Sequence, residues 1–179
     1  MSFWDNWESY VSSPYGYRTH PISNEYKLHS GTDLALSANT PIPSNINGTV
    51  TVSAYNNSYG NYVVVRDNKG LLHYYAHMNE RNVNVGDTIS VGDTLGLVGS
   101  TGNSTGNHLH YEIRGTDGKS IDSGKYLDNV SVVTTEDVTL SNLSLKEKIA
   151  YYAIEVFKYI IIVLIIILSV YLFTKSIDM

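Results

Sequence analysis

Short runs of alternating apolar and polar residues, each stopped by Gly, Asn or Asp, fill this 179-residue chain from Ser13 to about Arg114. The clearest are Gly48-Thr-Val-Thr-Val-Ser-Ala54, Asn61-Tyr-Val-Val-Val-Arg66 and Leu71-Leu-His-Tyr-Tyr-Ala-His77. A period of two sends successive side chains to opposite faces of a strand, so such runs suit sheet and not helix. Asp67-Asn68-Lys69-Gly70, between the last two runs, has the residue types of a tight hairpin turn. Val85-Gly-Asp-Thr-Ile89 and Val91-Gly-Asp-Thr-Leu95 repeat after six residues, which predicts two hairpin-like steps. The first dozen residues, carrying Trp4 and Trp7, read as a turn of helix packed on this β domain.

Set into that pattern are residues able to hold a metal. His29 and Asp33 lie in His29-Ser-Gly-Thr-Asp33, and His108 and His110 in Asn107-His108-Leu109-His110-Tyr111-Glu112. His77 ends Tyr75-Ala-His77. Imidazole nitrogen and carboxylate oxygen are the donors of a catalytic zinc site, which uses three of them and leaves a fourth position open. If residues 108–112 form a strand, His108 and His110 project from one face about 7 Å apart, while Leu109 points to the core. Two of the six histidines are expected to stand outside this group. His73 shares His77's strand face by period two, and His20 is expected to shape the rim of the cleft. No Ser-His-Asp order supports a covalent route, and the chain contains no cysteine nucleophile.

In this order and spacing the residues resemble the M23 family of zinc metallopeptidases, the lysostaphin-type peptidoglycan endopeptidases. The resemblance runs from about Ser13 to Arg114. It includes Gly16-Tyr-Arg18-Thr-His20-Pro21-Ile22, the His29/Asp33 pair, Tyr59-Gly60-Asn61, Tyr75-Ala-His77, the Gly-Asp repeat and Gly99-Ser-Thr-Gly-Asn-Ser-Thr-Gly-Asn-His108-Leu-His110. It implies a coiled antiparallel β-sheet with a zinc-containing groove. His29, Asp33 and His110 would be the Zn2+ ligands, and His77 and His108 the unliganded catalytic pair. The implied substrate is a peptide cross-link or stem peptide of bacterial peptidoglycan. Biotinyl and lipoyl carrier domains share the Gly-Asp repeat, but they need a lysine beside methionine at a hairpin tip, and no Met-Lys pair occurs here.

Composition narrows the remaining classes. The net charge is −5, and neither side of Leu127 is basic, which argues against a nucleic-acid partner. Without cysteine there can be neither disulfides nor thiolate metal sites. The start, Met-Ser-Phe-Trp-Asp-Asn-Trp-Glu, lacks the basic and apolar regions of a secretory signal.

The chain reads as a peptidase domain over 1–127, a Val/Thr/Ser/Asn-rich linker over 128–144 and a helix over 145–179. Ser144 and Glu147 have capping-box spacing at the start of that helix. Tyr159 to Phe173 is 15 residues with Ser169 the only strongly polar side chain. Extended back to Ala153 the run is about 31 Å long as a helix, enough to cross a bilayer, so a transmembrane segment is expected at about 153–174. Lysines 146, 148 and 158 precede the run and Lys175 follows, which by charge bias keeps the first domain on the cytoplasmic side. Peptidoglycan lies on the other side. Two readings would resolve that conflict. One is a phage-associated lysin with tail proteins as partners, carried in a virion tail or made in the infected cell. The other is a host cell-wall endopeptidase in the cell envelope whose N-terminal domain is translocated without a signal. The competing classes are a catalytically silent, membrane-anchored wall-binding scaffold and a membrane-penetrating delivery protein.

Overall fold

The computed structural model describes residues 2–21, 24–131, 149, 152–154 and 156–161. The chain divides into two compact units, Met1–Ser131 and Val132–Met179.

The first unit opens with a 3-10 helix, Phe3–Tyr10. The Ser2 hydroxyl accepts from the Trp4 N–H at 3.3 Å, and the Asp5 carboxylate accepts from the Ser2 N–H at 2.7 Å. Such reciprocal caps satisfy donors that a helix start otherwise leaves open. Trp7 is buried, and the Trp4 indole N–H donates to the Pro43 carbonyl at 2.7 Å. The aromatic N terminus is therefore part of the core, as its composition suggested.

The strands follow in chain order: β1 (Val11–Ser13), β2 (Gly16–Thr19), β3 (Tyr26–His29), β4 (Gly31–Leu34), β5 (Pro41–Pro43), β6 (Gly48–Asn56) and β7 (Gly60–Asp67). After them come β8 (Leu72–Met78), β9 (Glu80–Arg81), β10 (Thr88–Ile89), β11 (Thr94–Leu97), β12 (Leu109–Arg114) and β13 (Ser120–Ile121). The three runs singled out above are β6, β7 and β8. One large antiparallel sheet has the spatial order β1-β4-β12-β8-β7-β6-β10, with β13 paired to β12. A three-stranded sheet, β5-β11-β9, and a two-stranded ribbon, β2-β3, complete the fold. Its mainly β character agrees with the alternating pattern.

Turn chemistry acts where expected. Asp67 Oδ1 accepts from the N–H groups of Lys69 and Leu71, at 2.9 and 2.8 Å, and closes the β7–β8 hairpin. In the six-residue repeat, Asp87 and Asp93 each accept from the backbone three residues earlier, at 2.8 Å. The two copies then diverge. Thr88–Ile89 joins the large sheet beside β6, and Thr94–Leu97 enters the small one. Each copy is thus a turn followed by a strand, not a self-contained hairpin.

One face of the large sheet, the small sheet and the N-terminal helix share a core that includes Leu34, Ile42, Val63, Tyr75, Leu95 and Tyr111. On β12 the alternation is strict: Leu109, Tyr111 and Ile113 enter this core, which leaves His110, Glu112 and Arg114 to the other face.

A helix, α1 (Ser123–Ser131), closes the unit. Leu127 is buried in the core, and the Ser123 and Thr32 hydroxyls are 2.8 Å apart. The expected boundary after residue 127 falls inside this helix. Gly124 near its start and the lack of a long apolar stripe hid it from pattern reading.

In the second unit, Ile149, 152–154 and 156–161 are helical and exposed. Among the described residues no helix is long and apolar enough to cross a membrane. The span expected at about 153–174 and the linker from residue 132 onward lie mostly outside the described residues.

Candidate metal centre and peptidase cleft

Register brings the separated motifs together. Strand β12 lies between β4 and β8, with His110 paired to Asp33 on one side and to Ala76 on the other. His29 ends β3, four residues before Asp33. The donor atoms of His29, Asp33 and His110 all lie within 4.8 Å of one another. Asp33 Oδ1 is 3.2 Å from His29 Nε2 and 2.8 Å from His110 Nδ1, and the two imidazole nitrogens are 3.3 Å apart. Three donors converging on one point, largely out of solvent, form a set that fits a tetrahedral metal with one position left over.

His77 and His108 complete the group. Their ring centroids are 4.7 Å apart, and His77 lies 5.7 Å from His110. His108 Nε2 stands 3.7 Å from Asp33 Oδ1. All five residues line one cleft of about 210 Å³.

Each of the four histidines has one ring nitrogen tied on the side away from the centre. His29 Nδ1 donates to the Pro14 carbonyl, His77 Nδ1 to the Thr101 carbonyl and His108 Nδ1 to the Gly106 carbonyl, each at 2.8 Å. His110 Nε2 donates to the Glu112 carboxylate at 3.3 Å. A carbonyl or carboxylate oxygen only accepts, so the proton at each of these positions is on the ring. The other nitrogen of every ring is left for the cleft. Such outer partners fix the tautomer and orientation of a metal-binding histidine.

Electrostatics follow from this wiring. Burial would raise the Asp33 pKa, but hydrogen bonds from His110 and His29 outweigh it and hold the carboxyl well below its usual range. Burial opposes protonation of His110, yet its bonds to Asp33 and Glu112 raise it to about 9. Burial lowers His77 to about 4, only partly offset by the Thr101 carbonyl. The opposite shifts of Asp33 and His110 come largely from the hydrogen bond between them, which occupies the place where a bound cation would sit.

Glu112 and Tyr59 lay inside the quoted motifs without an assigned role. Glu112 is completely buried, and accepts from Ser30 at 2.8 Å, Tyr59 at 2.7 Å and Arg114 Nε at 2.6 Å besides His110. Burial would raise its pKa, but these donors, His110 first, bring it down to about 2. A buried, paired carboxylate behind a candidate ligand is placed to orient it. Its signal was available: Glu112 is two residues beyond His110 and so on the same strand face.

His73 does not share the face of His77. It is fully buried on the core side, with Nδ1 2.7 Å from the Tyr111 hydroxyl and Nε2 3.5 Å from the Asp67 carboxylate. The alternation breaks because His77 has a left-handed backbone, φ 62°. Its N–H donates to the Tyr59 carbonyl at 2.8 Å. Strict period two would have sent His77 into the core after His73 and Tyr75. His20 lines the cleft, as expected of a rim residue.

A β-sheet carrying this donor set, with two further imidazoles over it, defines a metallopeptidase domain. The profile of peptidase family M23 matches residues 27–123, and the chain belongs to that family. It is 41% identical over 95 residues to the peptidoglycan DD-endopeptidase ShyC of Vibrio cholerae, covering 53% of this chain and 22% of that protein. The catalytic domain of the antimicrobial peptidase lysostaphin from Staphylococcus simulans superposes with a TM-score of 0.63 at 28% identity. That match covers 72% of this chain and 98% of the lysostaphin domain. A zinc-containing peptidase from Vibrio cholerae matches with a TM-score of 0.58 at 31% identity, over 63% of this chain and 35% of the other. The chain spans about a quarter of the length of the curated relatives it matches.

Proposed function

We propose that this chain is a zinc-dependent endopeptidase that hydrolyses peptide cross-links or stem peptides of bacterial peptidoglycan. The observation that carries the reading is the wiring of the four histidines: each is pinned outward through one nitrogen and offers the other to a single cleft. His29 Nε2, Asp33 Oδ1 and His110 Nδ1 would hold the metal, and two nitrogens with one oxygen suit zinc. When bound, zinc supplies a Lewis acid for the scissile carbonyl and lowers the pKa of a water. The substrate class is supported by the likeness to ShyC and lysostaphin.

His77 and His108 do the proton work. With Nδ1 tied to a carbonyl, each presents Nε2 to the cleft, as an acceptor when neutral and a donor when protonated. His77, held neutral at ordinary pH by burial, can take a proton from the attacking water and return it to the leaving amine. Once protonated, the same nitrogen can donate to the oxyanion. The two rings, 4.7 Å apart and tilted at 49°, are close enough to share these tasks.

The test separates binding from chemistry. His110→Ala should lose zinc and activity on purified sacculi together. His77→Ala and His108→Ala should keep zinc while turnover falls roughly 10²–10⁴-fold, the scale of a positioned acid–base group. Full zinc occupancy and unchanged turnover in His110→Ala would sink the assignment.

We also propose that the apolar run at about 153–174 anchors the protein in a membrane, in the setting of a phage-associated or cell-wall lytic enzyme. Support comes from the sequence of the run and from exposed apolar side chains on the described helical residues, among them Ile154, Phe157 and Ile160.

A further inference from the structure

The ribbon β2-β3 carries an unusual cross-strand pair. Arg18 lies directly opposite Lys27, and Gly16 opposite His29. Residues directly opposite share a face, so Arg18, Lys27 and the proposed ligand His29 all belong to one side of the ribbon. Tyr17 and Tyr26, stacked at 5.8 Å and well exposed, belong to the other side. Like charges directly opposite each other destabilise a strand pair, and a free-standing two-stranded ribbon has little stability to spare. Asp33 gives Arg18 a partial counter-charge, and a bound anion would serve both cations.

Their surroundings point to an anion. Arg18 and Lys27 both line the cleft, where Asp33 is the only carboxylate among the lining residues. Arg18 Nη2 reaches Asp33 Oδ2 at 3.6 Å, while its Nε is the one buried side-chain polar atom without a hydrogen-bond partner among the described residues. An Arg fork meets a carboxylate best through two parallel N–H groups, and the longer contact to Asp33 leaves that capacity unused. His20, on the same rim, has its pKa lowered by burial first and then by Lys27 and Arg18, with Glu25 working the other way.

We propose that Arg18 and Lys27 form a carboxylate subsite that selects substrates with a free α-carboxylate on the carbon attached to the scissile nitrogen. This rests on the peptidase reading above and names its substrate class. A C-terminal amino acid offers such a carboxylate, and so does a diamino acid whose cross-linking amine sits beside its own carboxyl. Simple glycine or lysine side-chain bridges offer none there. The geometry suits that position. The carboxylate carbon is two bonds from the scissile nitrogen, so its cation must stand beside the metal ligands and not among them. Arg18, in contact with Asp33, stands there, and Lys27 flanks it across the ribbon.

The test uses the full zinc-loaded chain and two stem-peptide dimers joined by a D-alanyl–diaminoacid link. They differ only in the carboxyl beside the scissile nitrogen, which is free in one and a carboxamide in the other. Wild type should cleave the free acid with at least tenfold higher kcat/KM, mostly through KM. Lys27→Gln and Arg18→Gln should bring that ratio close to one. A pair of C-terminal D-alanyl-D-alanine peptides, acid and amide, separates the two sources of the carboxylate. The preference appears with these too if terminal carboxylates are accepted, and with the dimers alone if only cross-links are. An Arg18 that merely steadied Asp33 would lower both substrates equally and weaken zinc binding, leaving the ratio unchanged. Equal cleavage of acid and amide by wild type overturns the proposal. Calorimetric titration of the uncleaved peptides covers the remaining case. If neither peptide is hydrolysed but the acid binds more tightly than the amide, and Lys27→Gln removes the difference, the peptidase reading fails and the subsite stands. Equal binding overturns the subsite as well.

Discussion

Gly31 faces Glu112 across β4 and β12, with the His110 ring alongside. A Cβ at Gly31 would lie 2.8 Å from His110 Cε1 and 2.6 Å from the Tyr111 carbonyl oxygen. The glycine in His29-Ser-Gly-Thr-Asp33 is therefore there to let the imidazole approach. Gly31→Ala should push His110 aside, lower zinc affinity at least tenfold and cost about 1–3 kcal/mol of stability, the usual price of overpacking. Chelator competition and thermal melting measure both, and unchanged affinity would show the ring does not need that space. His77 poses the opposite problem, a full side chain in left-handed backbone. Asn is among the residues that tolerate this region, whereas a β-branched residue is a genuine outlier there. His77→Asn should melt close to wild type, and His77→Val should lose about 2 kcal/mol or more. Equal melting of the two variants would mean the backbone at residue 77 carries no strain.

At the scale of elements, β12 does the assembling. Its outer neighbours supply Asp33 and the approach to His77, and its own alternation separates Tyr111 in the core from His110 in the cleft. The loop before it contributes the Gly106 and Thr101 carbonyls that hold His108 and His77. Thr101 itself is fixed by donating to the Met78 carbonyl at 2.7 Å and accepting from the Asn61 N–H at 3.0 Å. The second unit carries the apolar run proposed to anchor the protein. A helix that spans a bilayer should stay in membranes through high salt and alkaline carbonate, since no electrostatic contact holds it there. Release by either wash would argue for a peripheral or protein–protein role. Arg at Ile165 should add about 2.5–3.5 kcal/mol to insertion.

At the scale of the whole molecule, a metal bound at this site should show in the pH dependence of stability. His73 and His77 have pKa values pushed below the ordinary 6.5, in both cases by burial first. Below 6.5 the unfolded chain gains protons that these folded sites refuse, so stability present above 6.5 is lost as the pH falls toward about 4. His110, raised to about 9, acts in the other direction. Its contribution is complete below 6.5 and is lost as the pH climbs through about 9. Metal-free protein should therefore melt highest near pH 6.5 and decline on both sides. Zinc would take the place of the His110 Nδ1 proton, so the loaded protein should lose the alkaline decline. Calorimetry from pH 5 to 9, with chelator and with zinc, tests this. Metal-free protein that keeps gaining stability up to pH 9 would contradict the His110 assignment.

What the sequence by itself determined is local. Alternation located β6, β7 and β8, turn residues located the β7–β8 hairpin, and the donor types in three short motifs marked five residues that line one cleft. These survive translation into three dimensions because each depends on neighbours a few residues away. Tertiary structure decided what depends on distant partners. His73 and His77 parted to opposite faces because a left-handed residue shifts every face reading that passes through it. Strand alternation already set Glu112 beside His110 and Arg114, but Ser30 and Tyr59 became its partners only once three segments met. Helix α1 carries Leu127 into the core, a contact with distant segments that no local pattern announces. Arg18 and Lys27, nine positions apart, became neighbours through the register of one ribbon. Periodicity encodes the face of a regular strand. Register, tautomer and charge pairing across long separations belong to the assembled molecule, because their energies exist only after the chain has closed on itself.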